Sequence, residues 1–285
     1  MMLPLIRRFR RPPQLPNDES SSPSGENTQA AFEEETPYYP GFWDVLKVRY
    51  LLHHIWQWTR DSDELLPVEI VDMIMDAAEY WASTENVLEG QTVIRKDQDQ
   101  MLLTTVPLCY GVQTPDTASL KLLPHRTVHP CRRVIFSLLS HDQGWGGGIR
   151  NRGQYEGSYS WFDTEIIHAA HQRPQIGPSE EQGPAHFGPD HPHLLPNASK
   201  LQSNRTAVSA PQRHTIVWDH LDNIRADSSE AEEIEHSQGR GRATLDGSQV
   251  RGLEVGDAIA VWGRARFGGW TNHVQRVSVR VFWAI

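Results

Sequence analysis

Two different spacings of apolar residues divide the chain. Between about residues 42 and 81 they recur every three to four positions, and from about residue 86 onward they alternate. In "FWDVLKVRYLLHHIW", the residues Phe42, Val45, Leu46, Val48, Leu52, Ile55 and Trp56 make a broad stripe along one helical face. In "LLPVEIVDMIMDAAEYWAS", Ile70, Ile74, Ala77, Ala78 and Trp81 share one face while Glu69, Asp72, Asp76 and Glu79 take the other. Pro67 suits a first helical turn, where its missing N–H leaves no bond unmade. The spacing therefore predicts two helices, the second ending near Ser83.

The alternating region predicts strands in "TVIRKDQ", "QMLLTTVPL", "RRVIFSLLS", "GSYSWFDTEI", "RHTIVWD", "DAIAVWGRARF" and "VQRVSVRVFWAI". The last is the clearest, with Val277, Val279, Val281 and Trp283 on one face and Ser278 and Arg280 on the other. Gly, Pro and Asp turns separate these strands, and no strand–helix–strand alternation appears. The expected fold is mainly β, an antiparallel β-sandwich or jelly roll with a small N-terminal helical segment. Residues 1–38 are expected to be a disordered tail, because "NDESSSPSGENTQ" and its surroundings hold too little apolar area to offset ordering entropy. Residues 39–85 form the helical segment and 86–285 the sandwich. Two long loops interrupt the sandwich. The one at about 168–200 is rich in Pro and His, and the acidic one at about 221–240 reads as a short helix or a disordered insertion. The short connection predicts that the helices pack on the sandwich as one unit.

Composition narrows the function. Apolar residues make up only 38% of the chain, in keeping with a tail that does not fold. The formal net charge is -9 with both signs mixed along the folded part, which argues against a phosphate-tracking surface and so against nucleic acid. Arg7, Arg8, Arg10 and Arg11 form a basic run that reads as a solvated tail. Cys109 and Cys131 are the only cysteines, lacking metal-ligand spacing; one disulfide between them is conceivable, yet nothing marks an oxidising compartment. No run approaches ~18 uninterrupted apolar residues, so no membrane partner is expected. The expected location is cytoplasmic or nuclear, where the sequons at Asn197 and Asn204 go unused.

The segment "LPVEIVDMIMDAAEYW" resembles the opening of an F-box, with Leu66, Pro67, Glu69, Ile70 and Ile74 at the matching positions. The resemblance implies that Leu66, Pro67, Ile70, Ile74 and Trp81 dock the helical adaptor of a ubiquitin ligase. The alternative is an amphipathic helix whose stripe packs against its own neighbours. Over residues 43–285 the chain also resembles a group of fungal proteins in which such a helix precedes a β-domain carrying "SHDQGW", "YEGSYSWFD", "LQSNRTA" and "GDAIAVWGRARFGGW" blocks. That likeness implies no activity. The β-domain is similar to carbohydrate-binding jelly rolls in strand pattern alone.

Candidate chemistry gathers where strands meet glycine-rich turns. Trp145 in "GWGGG", Trp161 in "SYSWFDTE" and Trp270 in "RFGGWTNH" offer flat apolar faces, and Asp142, Gln143, Arg264, Arg266 and Asn272 supply hydrogen-bonding groups nearby. Together they predict non-catalytic recognition of a protein segment or a glycan, with no cofactor and no metal. Core or turn duty is the competing role for each indole. A carboxylate-dependent, glycosidase-like hydrolase using Asp142, Asp163 or Glu165 is a second reading, since Asp163 and Glu165 share a strand face. His168 and His171, and His186, Asp190, His191 and His193 in "HFGPDHPH", are the only metal-like groupings, in a segment that reads as a solvated loop. A purely structural scaffold is the third reading.

Overall fold

Alternation along the β-region becomes antiparallel pairing throughout. The computed structural model describes residues 37–60, 63–96, 98–114, 117–172, 195–196 and 199–285. The polar N-terminal arm and most of the Pro- and His-rich segment, with its "HFGPDHPH" cluster, lie outside the described residues. The helical segment consists of α1 (Phe42–His53), α2 (Ile55–Arg60) and α3 (Val68–Ala77). The strands are β1 (Ala82–Arg95), β2 (Gln100–Thr104), β3 (Tyr110–Thr114), β4 (Thr117–Leu122), β5 (Cys131–His141), β6 (Ser160–Ile167), β7 (Lys200–Ser203), β8 (Gln212–Asp219), β9 (Ala258–Ala265) and β10 (Thr271–Trp283). Two further helices, α4 (Ser229–Gln238) and α5 (Ser248–Gly252), lie between β8 and β9.

One sheet has the order β1-β10-β5-β8 and the other β2-β9-β6-β7, with β3 and β4 as a separate hairpin. The inner faces of the two sheets share one apolar core. It holds Val134, Phe136 and Leu138 of β5, Val277, Val279 and Val281 of β10, and Ile216 and Trp218 of β8 from the first sheet. Phe162, Leu201, Ile259 and Val261 come from the second. The fold is an antiparallel β-sandwich, as the alternation predicts. Val45, Leu66, Val71 and Met75 join the same core, so the helices and the sandwich fold together.

The boundaries depart from local expectation where tertiary partners decide them. The first helix, expected to run through Trp56, breaks at His54, whose backbone leaves helical geometry. The second ends at Ala77, and Glu79 takes a positive φ of 52°. The chain then enters β1 at Ala82, inside the stretch expected to be helical, because Ala82 pairs with Trp283 from the far end of the sequence. The acidic insertion is a helix. In α4 the Ser228 hydroxyl accepts the Ala231 N–H, and Gly239 at φ 71° closes the last turn. Glu235, engaged by Lys200 and Arg242, ties that helix to β7. The segment after it covers two strand edges, since Arg240 pairs with Gln202 of β7 and donates to the Val217 carbonyl of β8.

Cys109 and Cys131 are buried free thiols, so the conceivable disulfide is not formed. Burial pushes the Cys131 thiol up to about 12. His214 occupies the inward register of β8 beside Ile216 and Trp218, almost fully buried, and its Nε2 has no protein partner. Burial, with a smaller contribution from Arg205, lowers its pKa to about 4. A histidine kept neutral in the fold and free to charge once unfolded stabilises the native state above pH ~6.5, and that stability drains away as pH falls toward 4. His214 should therefore cost the protein about 2 kcal/mol between pH 7 and pH 5. In urea titrations at the two pH values, His214→Phe should lose about that much less than the parent; equal losses would show that His214 does not titrate in this way.

Candidate functional site

The glycine-rich loop after β5 and the turn joining β9 to β10 meet at one end of the sandwich. Asp142 starts the first loop. Its buried carboxylate accepts N–H bonds from Gly144 (2.7 Å), Ala207 (2.5 Å) and Val208 (2.9 Å). Burial nevertheless keeps this carboxyl above its usual range, with the three donors offsetting part of the cost. Gly144 has to be glycine: it sits at φ 82°, and a Cβ there would lie 2.6 Å from the Ser209 Cβ. The Gln143 amide then joins the two loops, donating to the Trp145 carbonyl (2.6 Å) and accepting the Thr271 N–H (3.2 Å).

This scaffolding presents aromatic rings to solvent. Trp145 is 60% exposed, and its ring edge lies over Gly269, where a Cβ would come within 2.6 Å of it. Tyr159 stands edge-on to both Phe267 (4.5 Å) and Trp270 (5.3 Å). Phe267 is 42% exposed and holds a φ of 64°, a left-handed conformation that costs a residue with a Cβ on the order of 1 kcal/mol. Beneath the rim, His141 and His273 stack in parallel at 4.6 Å, and burial together with His141 depresses the pKa of His273.

The remaining sequence candidates are buried. Trp161 is fully buried, and its indole N–H donates to Asp163 at 2.8 Å. Arg264 donates to Asp163 (2.9 Å) and to Asp99, and Arg266 donates to Asp99 at 2.5 and 2.7 Å while lying 5.4 Å from the Trp161 ring centre. Asn272 is likewise sealed, donating to the Trp161 carbonyl and accepting from Asn204, which also bonds Ser160 and Ser140. Trp161, Arg264, Arg266 and Asn272, read as ligand-binding from the sequence, are thus internal structural groups. Each had polar or aromatic neighbours in sequence that suggested a ligand, and tertiary partners engage them instead. Tyr159 and Phe267 are the rim members that sequence reading missed, although "RFGGW" placed Phe267 beside two glycines.

The F-box-like positions divide in the same way. Leu66 is buried, and Trp81 turns into a small cluster with Phe282 and Ala284, its indole N–H on Asp76 (2.8 Å). These two cannot belong to a docking face. Pro67, Ile70 and Ile74 are exposed, as is Met73 at 66%. Helix α3 faces this way because its acidic side is clamped: Asp72 pairs with Arg49 and Arg126, and Asp76 with Arg126 and, more loosely, Arg132. Burial alone would raise the Asp76 carboxyl, but Trp81, Arg126 and Arg132 outweigh it and hold it below the ordinary range.

The groups weighed for catalysis and metal binding are dispersed. Asp142 and Asp163 are buried on internal donors, and Glu165 accepts the Trp262 indole N–H at 2.9 Å. His168 faces Asp257 at 3.1 Å while His171 stacks on Tyr110. Among the described residues no group of three or more His, Cys, Asp or Glu could hold a metal ion, and no helix is long and apolar enough to cross a membrane. Comparison with protein-family models, with curated proteins and with solved structures finds no match.

Burial separates the tryptophans by experiment. Trp161→Ala should cost about 3–5 kcal/mol, whereas Trp145→Ala should stay within about 0.5 kcal/mol, both read from denaturant midpoints. Asp99→Asn leaves Asp163, bonded to Arg264, as the one carboxylate in a cluster with two buried guanidiniums and should cost about 3 kcal/mol. A loss below about 1 kcal/mol would show the cluster to be solvated.

Proposed function

We propose that the chain is a non-catalytic recognition module whose rim of Trp145, Tyr159, Phe267 and Trp270 holds a protein segment. One observation carries this reading: a bulky residue, Phe267, is kept at a costly positive φ with its ring partly exposed to solvent. A ring that only filled space would be buried, and a turn that only needed to reverse the chain would use glycine at that position. A scaffold without a ligand leaves Phe267 unexplained. A protein segment suits the rim better than a glycan does. Sugars demand hydroxyl partners beside the aromatic platform, and here Asp142, Gln143, Arg264, Arg266 and Asn272 are all engaged by the protein itself. Aromatic-lined surfaces instead take apolar or proline-bearing segments in extended conformation. The hydrolase reading has less support, because each of its three carboxylates already accepts a hydrogen bond from a protein donor. Two free thiols fit a cytoplasmic or nuclear setting.

A second reading rests on α3. The resemblance to an F-box implies a ubiquitin-ligase adaptor as partner, and the outward apolar stripe of Ile70, Met73 and Ile74 supports it. Capture of such an adaptor by the parent, and its loss with Ile70→Asp plus Ile74→Asp in a variant of unchanged melting temperature, is the expected result.

A displayed random-peptide library and a glycan array, both probed with the full chain, test the rim. Peptide ligands are expected, with affinity falling at least tenfold in Trp145→Ala. Phe267→Gly should weaken the same peptides while leaving stability unchanged or raising it by up to about 1 kcal/mol. Glycan binding that depends on Trp145 would overturn the choice of ligand, and peptides indifferent to Trp145 and Phe267 would overturn the site.

A further inference from the structure

Helices α1 and α2 are apolar on two opposite sides. Val45 lies in the core, and Leu46, Val48, Leu52 and Trp56 pack against it. That packing fixes how the helices are rotated and turns a second stripe outward, in which Trp43, Lys47, Tyr50, Leu51, Ile55 and Trp58 follow at helical spacing, all exposed. The break at His54 does not interrupt the stripe. The His54 ring lies 4.0 Å from that of Tyr50 and 6.2 Å from that of Trp58, keeping the i, i+4 neighbours of a continuous helix. Trp43 is 77% exposed, and Tyr50 and Trp58 are 59% exposed each. Helices that bury one apolar face and hold three large rings in water on the other are short of a partner.

We propose that this stripe packs antiparallel against the same stripe of a second copy, about a two-fold axis beside Tyr50 and Leu51. Its chemistry reads alike in both directions from that point: an apolar centre, then Lys47 on one side and His54 on the other, then Trp43 and Trp58 at the ends. Self-pairing about a two-fold axis needs such an order, and an unrelated partner does not. Trp43 of each copy then packs at the level of Trp58 of the other, and Lys47 at the level of the other's His54. Tyr50 and Leu51, beside the axis, meet their own counterparts. Charge favours the antiparallel arrangement. Asp44 and Lys47 are the exposed charged residues of α1. A parallel pair would set each against its own like, whereas the antiparallel pair moves the two lysines about 10 Å apart along the helix and the two aspartates further. The area suffices. At roughly 200 Å² per large ring, the three rings together with Leu51 and Ile55 bury on the order of 1,000 Å² over both copies, the lower limit for a specific interface.

Sedimentation velocity of the full chain from about 1 to about 100 μM should show a monomer–dimer equilibrium, as suits an interface near that lower limit. Tyr50→Glu and Tyr50→Lys should each stay monomeric at the highest concentration with an unchanged melting temperature, because like charges would meet at the axis. Mixed in equal amounts, the two variants should associate at least tenfold more tightly than either does alone. Orientation is read from the ends: Trp43→Lys with Trp58→Glu should dimerise at least tenfold more tightly than Trp43→Lys with Trp58→Lys, a difference that only antiparallel copies give. Met73→Asp on α3 and Trp145→Ala at the rim should leave the dimer as it is. Four outcomes would overturn the proposal: a chain that is monomeric throughout, a dimer indifferent to both Tyr50 variants, a mixture that stays monomeric, or a monomer that binds phosphatidylcholine vesicles through Trp43 and Trp58 instead. Equal dimerisation of the two end variants would overturn the antiparallel arrangement.

Discussion

The structure depends on charges withdrawn from water. Asp99, Asp163, Arg264 and Arg266 form a buried cluster with two positive and two negative groups, packed against the fully buried Trp161. Isolated, any one of them would cost several kcal/mol to bury; together they are tolerable only in a geometry that satisfies all four. That requirement joins three remote pieces of sequence: the connection between β1 and β2 through Asp99, β6 through Asp163, and β9 with the turn after it through Arg264 and Arg266. A one-residue slip of β9 against β6 would point both guanidiniums into the apolar core, so the cluster also fixes register.

The rim inherits its precision from this anchorage. Arg266 is held by Asp99 through its side chain and by the Tyr159 carbonyl through its backbone N–H, and the next residue is Phe267. On the far side of the turn, Thr271 is held by Gln143 and Asn272 by Asn204. A strained φ persists where both flanks are over-determined, and here they are. Polar chemistry at this end of the sandwich works below the surface as a frame, leaving the exposed face to the rings. The composition of the "SHDQGW" and "GRARFGGW" blocks suggests polar and aromatic contacts side by side. Folding stacks them in depth instead.

That stacking explains what was legible in the sequence. Alternation identified β5, β8 and β10, because a strand with one buried face must repeat every two residues. It missed β7, whose four residues are all buried, and the start of β1, which is dictated by a partner about two hundred residues away. Trp145, Trp161 and Trp270 have comparable neighbours in sequence but different fates. Trp161 sits within β6, with polar partners beneath it, whereas the other two lie in turns. Similarly, Arg266 looks like a ligand contact until Asp99, far away in sequence, is placed beside it. Periodicity reports the face a residue takes; the partner waiting on that face is a property of the whole fold.

Helix α3 carries the same logic to its opposite result. Its acidic side faces the protein because three arginines, from α1, from the segment leading into β5 and from β5 itself, compensate Asp72 and Asp76 there. Val71 and Met75 still reach the core from this helix, but Ile70, Met73 and Ile74 are left outward, and exposed large apolar side chains among the described residues concentrate between Trp43 and Ile74. A chain that kept such a surface only as a packing accident would meet aggregation at no benefit, since a polar residue at Met73, which is 66% exposed, would disturb little packing. The arginine clamp is built from residues on separate elements, and it spends charge pairs to hold apolar surface in water. Such an arrangement makes physical sense when the apolar face has somewhere else to be buried, which is the property expected of a docking element.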